Sequence, residues 1–189
     1  MAILLVGLIL FLGIHSVHLV APTGRASMHA TLGERPYKSL YSVVSLVGFG
    51  LIIWGFSRAS EQSAILYSPP EWTVPAAAVL MVPALILVLA SVVPPGRIKH
   101  AVMHPLLYGT ILWAVAHLIV NGDAAGVVLF GAFLVWAVID LLAQPRIAGS
   151  AAGLAATRSD LIAVVGGLVL YGAFVWKLHF WLFGVAPLP

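Results

Sequence analysis

Residues 2–21 read AILLVGLILFLGIHSVHLVA and contain no Asp, Glu, Lys or Arg. A helix needs about 20 mainly apolar residues to cross the hydrocarbon core of a bilayer. This stretch has that length and composition, so it predicts a membrane-spanning helix. Its start lacks the basic residues of a secretory signal peptide, and its apolar part is longer than such a peptide needs, so we expect it to be retained.

Five further apolar runs of similar length follow the first one. They are residues 37–56, 73–93, 104–120, 124–143 and 159–183. Across the chain 62% of the residues are hydrophobic and 8% are charged, whereas soluble domains average about 25% charged residues. So few charges cannot cover a water-exposed surface. The sequence therefore predicts an all-α fold, a polytopic membrane helical bundle of about six transmembrane helices, in a single domain over residues 1–189.

Local signals mark several of the predicted helix ends. Pro105 suits the first helical position of the fourth run, and residues 121–123 (Asn-Gly-Asp) predict a turn before the fifth. Thr157 or Ser159 can cap the start of the sixth run. Asp160 suits the positive end of that helix dipole.

Composition excludes several classes of function. The chain has no cysteine, so disulfides, iron–sulfur clusters, thiol catalysis and thioether-linked haem are ruled out. The formal net charge is +3, but the basic residues form no cluster, so we expect no nucleic-acid partner. The bilayer itself is the partner that the composition requires.

The basic residues predict how the chain is oriented. Seven of them fall in or beside the first, third and fifth loops: Arg25, Arg35, Lys38, Arg97, Lys99, Arg146 and Arg158. The other loops and the last helix carry only Arg58 and Lys177. Because loops rich in Lys and Arg stay on the cytoplasmic side, we expect a bacterial inner (plasma) membrane protein with both termini in the periplasm.

Histidines are unusually frequent for a chain so poor in charge. They are His15, His18, His29, His100, His104, His117 and His179. Four of them, His18, His29, His100 and His179, lie near predicted helix ends, where a bond to the backbone or to lipid headgroups is the ordinary expectation. His100 and His104 have the i,i+4 spacing of a metal-binding pair, but Pro105 starts the helix and leaves His100 in the preceding loop.

His15 and His117 lie deeper in their predicted helices. Polar groups inside a bilayer are costly and point to function, and imidazole is the usual protein ligand for haem iron. Two histidines on two helices can hold one metal or haem inside a bundle, and Gly7 and Gly109 would let helices approach closely. A hydrogen bond between helices is the simpler alternative. Depth along the helices does not separate His117 from His104 as the partner of His15.

Several short motifs together resemble the NnrU family. They are Arg97-Ile-Lys-His-Ala-Val-Met-His104-Pro105, Leu112-Trp113-Ala-Val-Ala-His117-Leu118, Asn121-Gly122, His15-Ser16, Leu32-Gly-Glu-Arg35, Tyr41-Ser-Val-Val-Ser-Leu46 and Tyr67-Ser-Pro-Pro-Glu-Trp72. The resemblance covers nearly the whole chain. It implies a membrane protein associated with nitrite and nitric oxide metabolism and denitrification.

The NnrU family is in turn similar to 15-cis-zeta-carotene isomerase, an integral membrane protein that uses haem b. That resemblance implies that His15 and His117 bind the haem, with His104 as a further cofactor-binding residue. NO or a small lipophilic substrate would then be the partner. The alternatives are a haem-dependent cis-trans isomerase of a carotenoid or other polyene, and a transporter or assembly factor for nitrogen-oxide reductases.

Asp140 is the acidic residue that lies well inside a predicted span. It can pair with Arg146, or it can orient a ligating histidine by a hydrogen bond. We expect His104 and Asp140 to tune the haem site, with His104 as an exchangeable ligand. The competing interpretation is that His104 caps the fourth helix and that Asp140 pairs with Arg146.

Overall fold

In the computed structural model, which describes residues 1–144 and 157–188, the protein is helical almost throughout. The helices are α1 (Ala2–Val20), α2 (Pro22–Leu32), α3 (Glu34–Ser60), α4 (Thr73–Val92), α5 (Arg97–Val102), α6 (Pro105–Leu118), α7 (Ala124–Ala143), α8 (Arg158–Ala173) and α9 (His179–Phe183), with a π-helical turn (Phe174–Leu178) between α8 and α9.

Five helical segments are long and apolar enough to cross a membrane. They are α1, α3, α4, α7 and the continuous segment Arg158–Phe183, so the prediction of a multi-pass helical membrane protein is confirmed. The predicted fourth span is shorter than expected, because α6 has 14 residues. At 1.5 Å per residue it is about 21 Å long, less than the roughly 30 Å of a hydrocarbon core.

Two short helices were not predicted. The first loop contains α2, which has no buried residue, and the third contains the six-residue α5. Their sequences are short and weakly apolar, so they lack the periodicity that marks a helix. Arg146, the expected partner of Asp140, lies outside the described residues.

The helices form two compact units. The first contains residues 1–66 and 123–132, and the second contains residues 67–122 and 133–189. In the first unit α1 packs against α3. A Cβ atom at Gly7 would lie 2.6 Å from the Ile52 backbone nitrogen, and one at Gly48 would lie 2.8 Å from the Phe11 nitrogen. Gly7 thus permits a close helix contact, as expected, and its neighbour is α3.

In the second unit α4 packs against both α6 and α8. A Cβ atom at Gly109 would lie 3.0 Å from the Ala84 carbonyl oxygen, and one at Gly167 would lie 2.7 Å from the Ile86 Cα atom. The absence of a side chain at these glycines lets the helix backbones approach closely.

The start of α8 is capped as the sequence predicts. Thr157 is the N-cap residue, and it forms a capping box with Asp160. The Asp160 carboxylate also accepts hydrogen bonds from the backbone nitrogens of Arg97 and Ile98, at 3.0 and 2.8 Å. It therefore joins the first turn of α8 to the first turn of α5.

Candidate functional site

His15 is held in the membrane-spanning part of α1 by its own helix. Its Nδ1 donates to the Phe11 carbonyl oxygen, one turn earlier, at 2.6 Å. The Phe11 ring lies against the imidazole with centroids 4.3 Å apart, and the Tyr41 ring meets it edge-on at 5.3 Å. The bond and the two aromatic rings restrict the orientation of this imidazole.

His117 repeats that arrangement in α6. Its Nδ1 donates to the Trp113 carbonyl oxygen at 2.8 Å, and the Trp113 ring lies 5.2 Å from the imidazole. In both helices an aromatic residue stands four positions before the histidine, so its carbonyl and its ring both face the imidazole.

This shared geometry sets the tautomer of both rings. A carbonyl oxygen accepts only, so Nδ1 carries the proton in each neutral ring and the lone pair resides on Nε2. Metal-bound histidines commonly have their other ring nitrogen bonded to a backbone carbonyl in this way. The Nε2 atoms of the two residues would therefore suit ligation of a haem iron.

The end of α6 just after His117 is closed by a segment distant in sequence. The Tyr67 hydroxyl donates to the carbonyl oxygens of Leu118 and of Asn121, the second at 2.9 Å. The Asn121 side chain donates to the His117 carbonyl oxygen at 2.8 Å. A Cβ atom at Gly122 would overlap the Tyr67 carbonyl oxygen, so glycine is required there. These motif residues anchor the helix turn that carries His117.

His179 lies beside His117, which the sequence did not predict. The ring centroids are 6.5 Å apart and the planes are inclined by 22°. The Nδ1 of His179 donates to the Val185 carbonyl oxygen at 2.7 Å, so the expected backbone bond is present as well. The π-helical turn ends immediately before His179. Such turns add a residue to the helical repeat and often occur at functional sites.

His104 occupies the N-cap position of α6, but its side chain makes no capping bond. Its position agrees with the interpretation that His104 caps this helix, but the cap includes no side-chain hydrogen bond. Its Nε2 is buried and has no hydrogen-bond partner among the described residues. A buried polar atom without a partner costs about 1–3 kcal/mol, and ligation of a metal is one way to satisfy it.

Backbone strain lies immediately before His104. Met103 has φ 59° and ψ −47°, a conformation that residues other than glycine rarely adopt. The His104 nitrogen donates to the Val102 carbonyl oxygen at 2.6 Å and closes a γ-turn around Met103. Strain of this kind costs about 1–3 kcal/mol and tends to occur at functional sites.

Asp140 is buried in α7, with 6% of its surface exposed. It accepts a hydrogen bond from the Gln144 side chain at 3.0 Å. It does not bond to Nε2 of His104, since that atom has no partner among the residues described. Asp140 and His104 belong to the same unit, and their tuning role stays a prediction.

Of the other histidines, His18 makes the expected bond to the backbone. The Nδ1 of His18 donates to the His15 carbonyl oxygen at 2.9 Å, and His29 lies against the Tyr37 ring at 5.3 Å. His100 is exposed and belongs to α5, which corrects the expectation that it lies in a loop. Over residues 1–144 and 157–188, no three His, Cys, Asp or Glu side chains cluster as a protein-only metal site would require.

An apolar cleft of about 250 Å³ lies in the second unit, along α4 and α6. Its lining residues are Ala84, Leu85, Val88, Thr110, Trp113 and Phe133. Trp113 is also the residue whose carbonyl oxygen orients His117. The cleft therefore places space for a lipophilic molecule next to a residue that positions the histidine.

Comparison with known proteins identifies the family. No curated protein and no solved structure matches the chain. The profile of the NnrU protein family matches residues 3–187. The match covers nearly the whole sequence and includes His15, His104 and His117, and the chain therefore belongs to the NnrU family.

Proposed function

We propose that this NnrU protein binds haem b through Nε2 of His15 and Nε2 of His117, and that it acts on nitrogen oxides in the membrane. One observation carries the proposal: both histidines have Nδ1 bonded to the carbonyl oxygen of an aromatic residue one turn earlier. That arrangement leaves the lone pair on Nε2 and holds the imidazole in an orientation in which Nε2 would bind the iron.

Bound haem would supply an iron centre that can exchange an electron and bind a diatomic molecule such as NO. The residues of the protein position the two histidines. Phe11 and Trp113 orient the two imidazoles with a carbonyl oxygen and a flanking ring, and Tyr67 and Asn121 hold the end of α6. His104, whose buried Nε2 has no hydrogen-bond partner among the described residues, would be a further cofactor-binding residue.

An absorption spectrum of the purified protein tests the proposal. Protein expressed with sufficient haem should show a Soret band, and this band should be strongly reduced in His15→Ala and in His117→Ala. His100→Ala is the matched control, because it removes an exposed imidazole from α5. Folded wild-type protein without bound haem would contradict the proposal. Titration of the reduced protein with NO then tests the nitrogen-oxide role.

A second candidate function is favoured by the apolar cleft beside Trp113. Part of a carotenoid or of another lipophilic polyene would lie there, and the protein would then act as a cis-trans isomerase. Incubation of the reduced protein with a 15-cis polyene, followed by chromatography of the extracted isomers, separates the two candidates. Conversion of the polyene supports isomerisation, while NO binding without conversion supports the first function.

A further inference from the structure

A second cleft lies in the first unit, where the end of α1, the helix α2 and the start of α3 meet. Its volume is about 560 Å³, within the roughly 300–1,000 Å³ of small-molecule sites. The lining residues are Ile14, His15, Val17, His18, Arg25, His29, Tyr37, Lys38, Tyr41 and Ser42. His15, a proposed haem ligand, is thus part of its wall.

The charged residues that line this cleft are all basic, and the Glu34 carboxylate, which pairs with Lys38, lies outside the lining. Arg25 and Lys38 are cationic, and none of the described lining residues carries a carboxylate. Tyr41 and Ser42 add hydroxyl groups to the wall. Apolar side chains from α1, Ile14 and Val17, lie next to His15 in the sequence. Such a cleft suits an amphiphile with an apolar body and an anionic edge.

The two cations differ in how far they are already paired. Lys38 donates to the Glu34 carboxylate at 2.6 Å. Within the part of the chain that the structure describes, the Arg25 guanidinium makes no ion pair and no hydrogen bond. A guanidinium binds a carboxylate through two parallel hydrogen bonds, so Arg25 is the better anchor for an incoming anionic group.

From these observations we infer that this cleft takes the carboxylates of haem, with Arg25 as their principal partner and Lys38 as a secondary one. The inference rests on the proposed function, because it assigns the anionic edge of the group that His15 would ligate. Haem b is an apolar macrocycle with two carboxylates on one edge, and the lining has matching apolar and cationic parts. Arg25 acts as a binding residue for the cofactor and not as an iron ligand.

Haem and its dimethyl ester provide a direct test, since the ester keeps the macrocycle and the iron but loses both charges. The wild-type apoprotein should bind haem about tenfold or more tightly than the ester, as loss of a charge-assisted bond predicts. Arg25→Gln should remove most of that preference, and Lys38→Gln should remove less. The Soret position of the Arg25→Gln complex should match wild type, because the histidines are intact.

Arg35→Gln is the matched control. It removes the same charge from an exposed position at the start of α3 that does not line the cleft, so its preference for haem should persist. Arg25→Lys keeps the charge and should retain part of the preference, which separates an electrostatic role from misfolding. The preference should also shrink at high salt, because the site is open to solvent.

The outcomes separate this inference from the proposed function. If the wild type binds haem and the ester equally, or if Arg25→Gln and Arg35→Gln behave alike, the cleft does not take the carboxylates, although haem binding itself still stands. If neither compound binds folded wild-type protein, haem binding itself is contradicted and the proposed function is wrong. If vesicles rich in anionic phospholipid abolish the preference of the wild type, the cleft takes lipid phosphates and the inference is wrong.

Discussion

The imidazole rings of His117 and His179 lie 6.5 Å apart, centroid to centroid, with their planes inclined by 22°. If His117 binds haem as proposed, the stacked ring of His179 helps to orient it, and loss of a partner that orients a ligating histidine typically costs 10- to 100-fold in affinity. We therefore expect His179→Ala to keep haem but to shift the reduced spectrum and to weaken haem binding by about tenfold. Spectral titration measures both effects, with His100→Ala as the control. An unchanged spectrum and affinity would show that the contact has no functional role.

Substitution of His104 separates function from stability. Its Nε2 is buried without a partner, so His104→Leu removes an unsatisfied polar atom and should leave the melting temperature of the apoprotein unchanged or slightly raised. If His104 is an exchangeable ligand, the same variant should nevertheless alter the reduced spectrum or the affinity for NO. Asp140→Asn should change the same spectra if Asp140 tunes the site. Wild-type spectra in both variants would end the tuning hypothesis.

The contact between α1 and α3 should tolerate no side chain at Gly55. A Cβ atom there would overlap the Leu4 backbone nitrogen, so Gly55→Ala should destabilise the protein by about 1–3 kcal/mol. Gly50→Ala is the control in the same helix, because nothing lies within 4 Å of its added Cβ. It should be neutral or stabilising by up to about 1 kcal/mol, since alanine favours a helix. Thermal unfolding in detergent measures both, and equal melting temperatures would contradict the packing argument.

Replacement of Asp160 by asparagine should destabilise the protein far more than the same replacement of Asp123. The Asp160 carboxylate accepts hydrogen bonds from the backbone nitrogens of Arg97, Ile98 and Thr157, and an amide would turn an NH₂ group toward some of these donors. Asp123 accepts one such bond, from the Gly126 nitrogen, which an asparagine oxygen can also accept. We expect Asp160→Asn to lower the melting temperature clearly and Asp123→Asn to leave it nearly unchanged. A similar fall in melting temperature in both variants would contradict the stabilising role of the hydrogen bonds to Asp160.

Topology is testable with reporter fusions. The distribution of Lys and Arg predicts that the loops near Arg25 and Arg97 are cytoplasmic and that both termini are periplasmic. Alkaline phosphatase, which is active in the periplasm, should be active when it is fused to either terminus. Near Arg97 it should be inactive, and a reporter that is active only in the cytoplasm should be active there. A periplasmic position for the Arg97 loop would overturn the predicted orientation.

Much of the helical layout followed from local sequence. The predicted run 124–143 has the bounds of α7, and Pro105 begins α6 as expected. The cap formed by Thr157 and Asp160 was also visible, because capping depends on residues within one turn. Apolar length and end signals are properties of contiguous residues, so they can be identified without knowing what each helix packs against.

Family membership was likewise visible in the sequence, since the motifs around His15, His104 and His117 together resemble the NnrU family, whose profile matches residues 3–187. The two candidate ligands were also recognisable as histidines deep in apolar runs. Their matching bonds to Phe11 and Trp113 arise within one helical turn. An aromatic residue four positions before each histidine was therefore a signal that sequence analysis had available.

Tertiary structure alone decided the remaining relationships. His179 lies beside His117 although 62 positions separate them in the sequence, and Tyr67 donates to the Leu118 carbonyl oxygen from 51 positions earlier. The basic cleft around Arg25 depends on the unpredicted helix α2. These contacts join residues far apart in the chain, so which side chains meet is decided by how the helices pack and not by local sequence. Hydropathy records that a residue prefers lipid to water, but it carries no information about which neighbour that residue will touch.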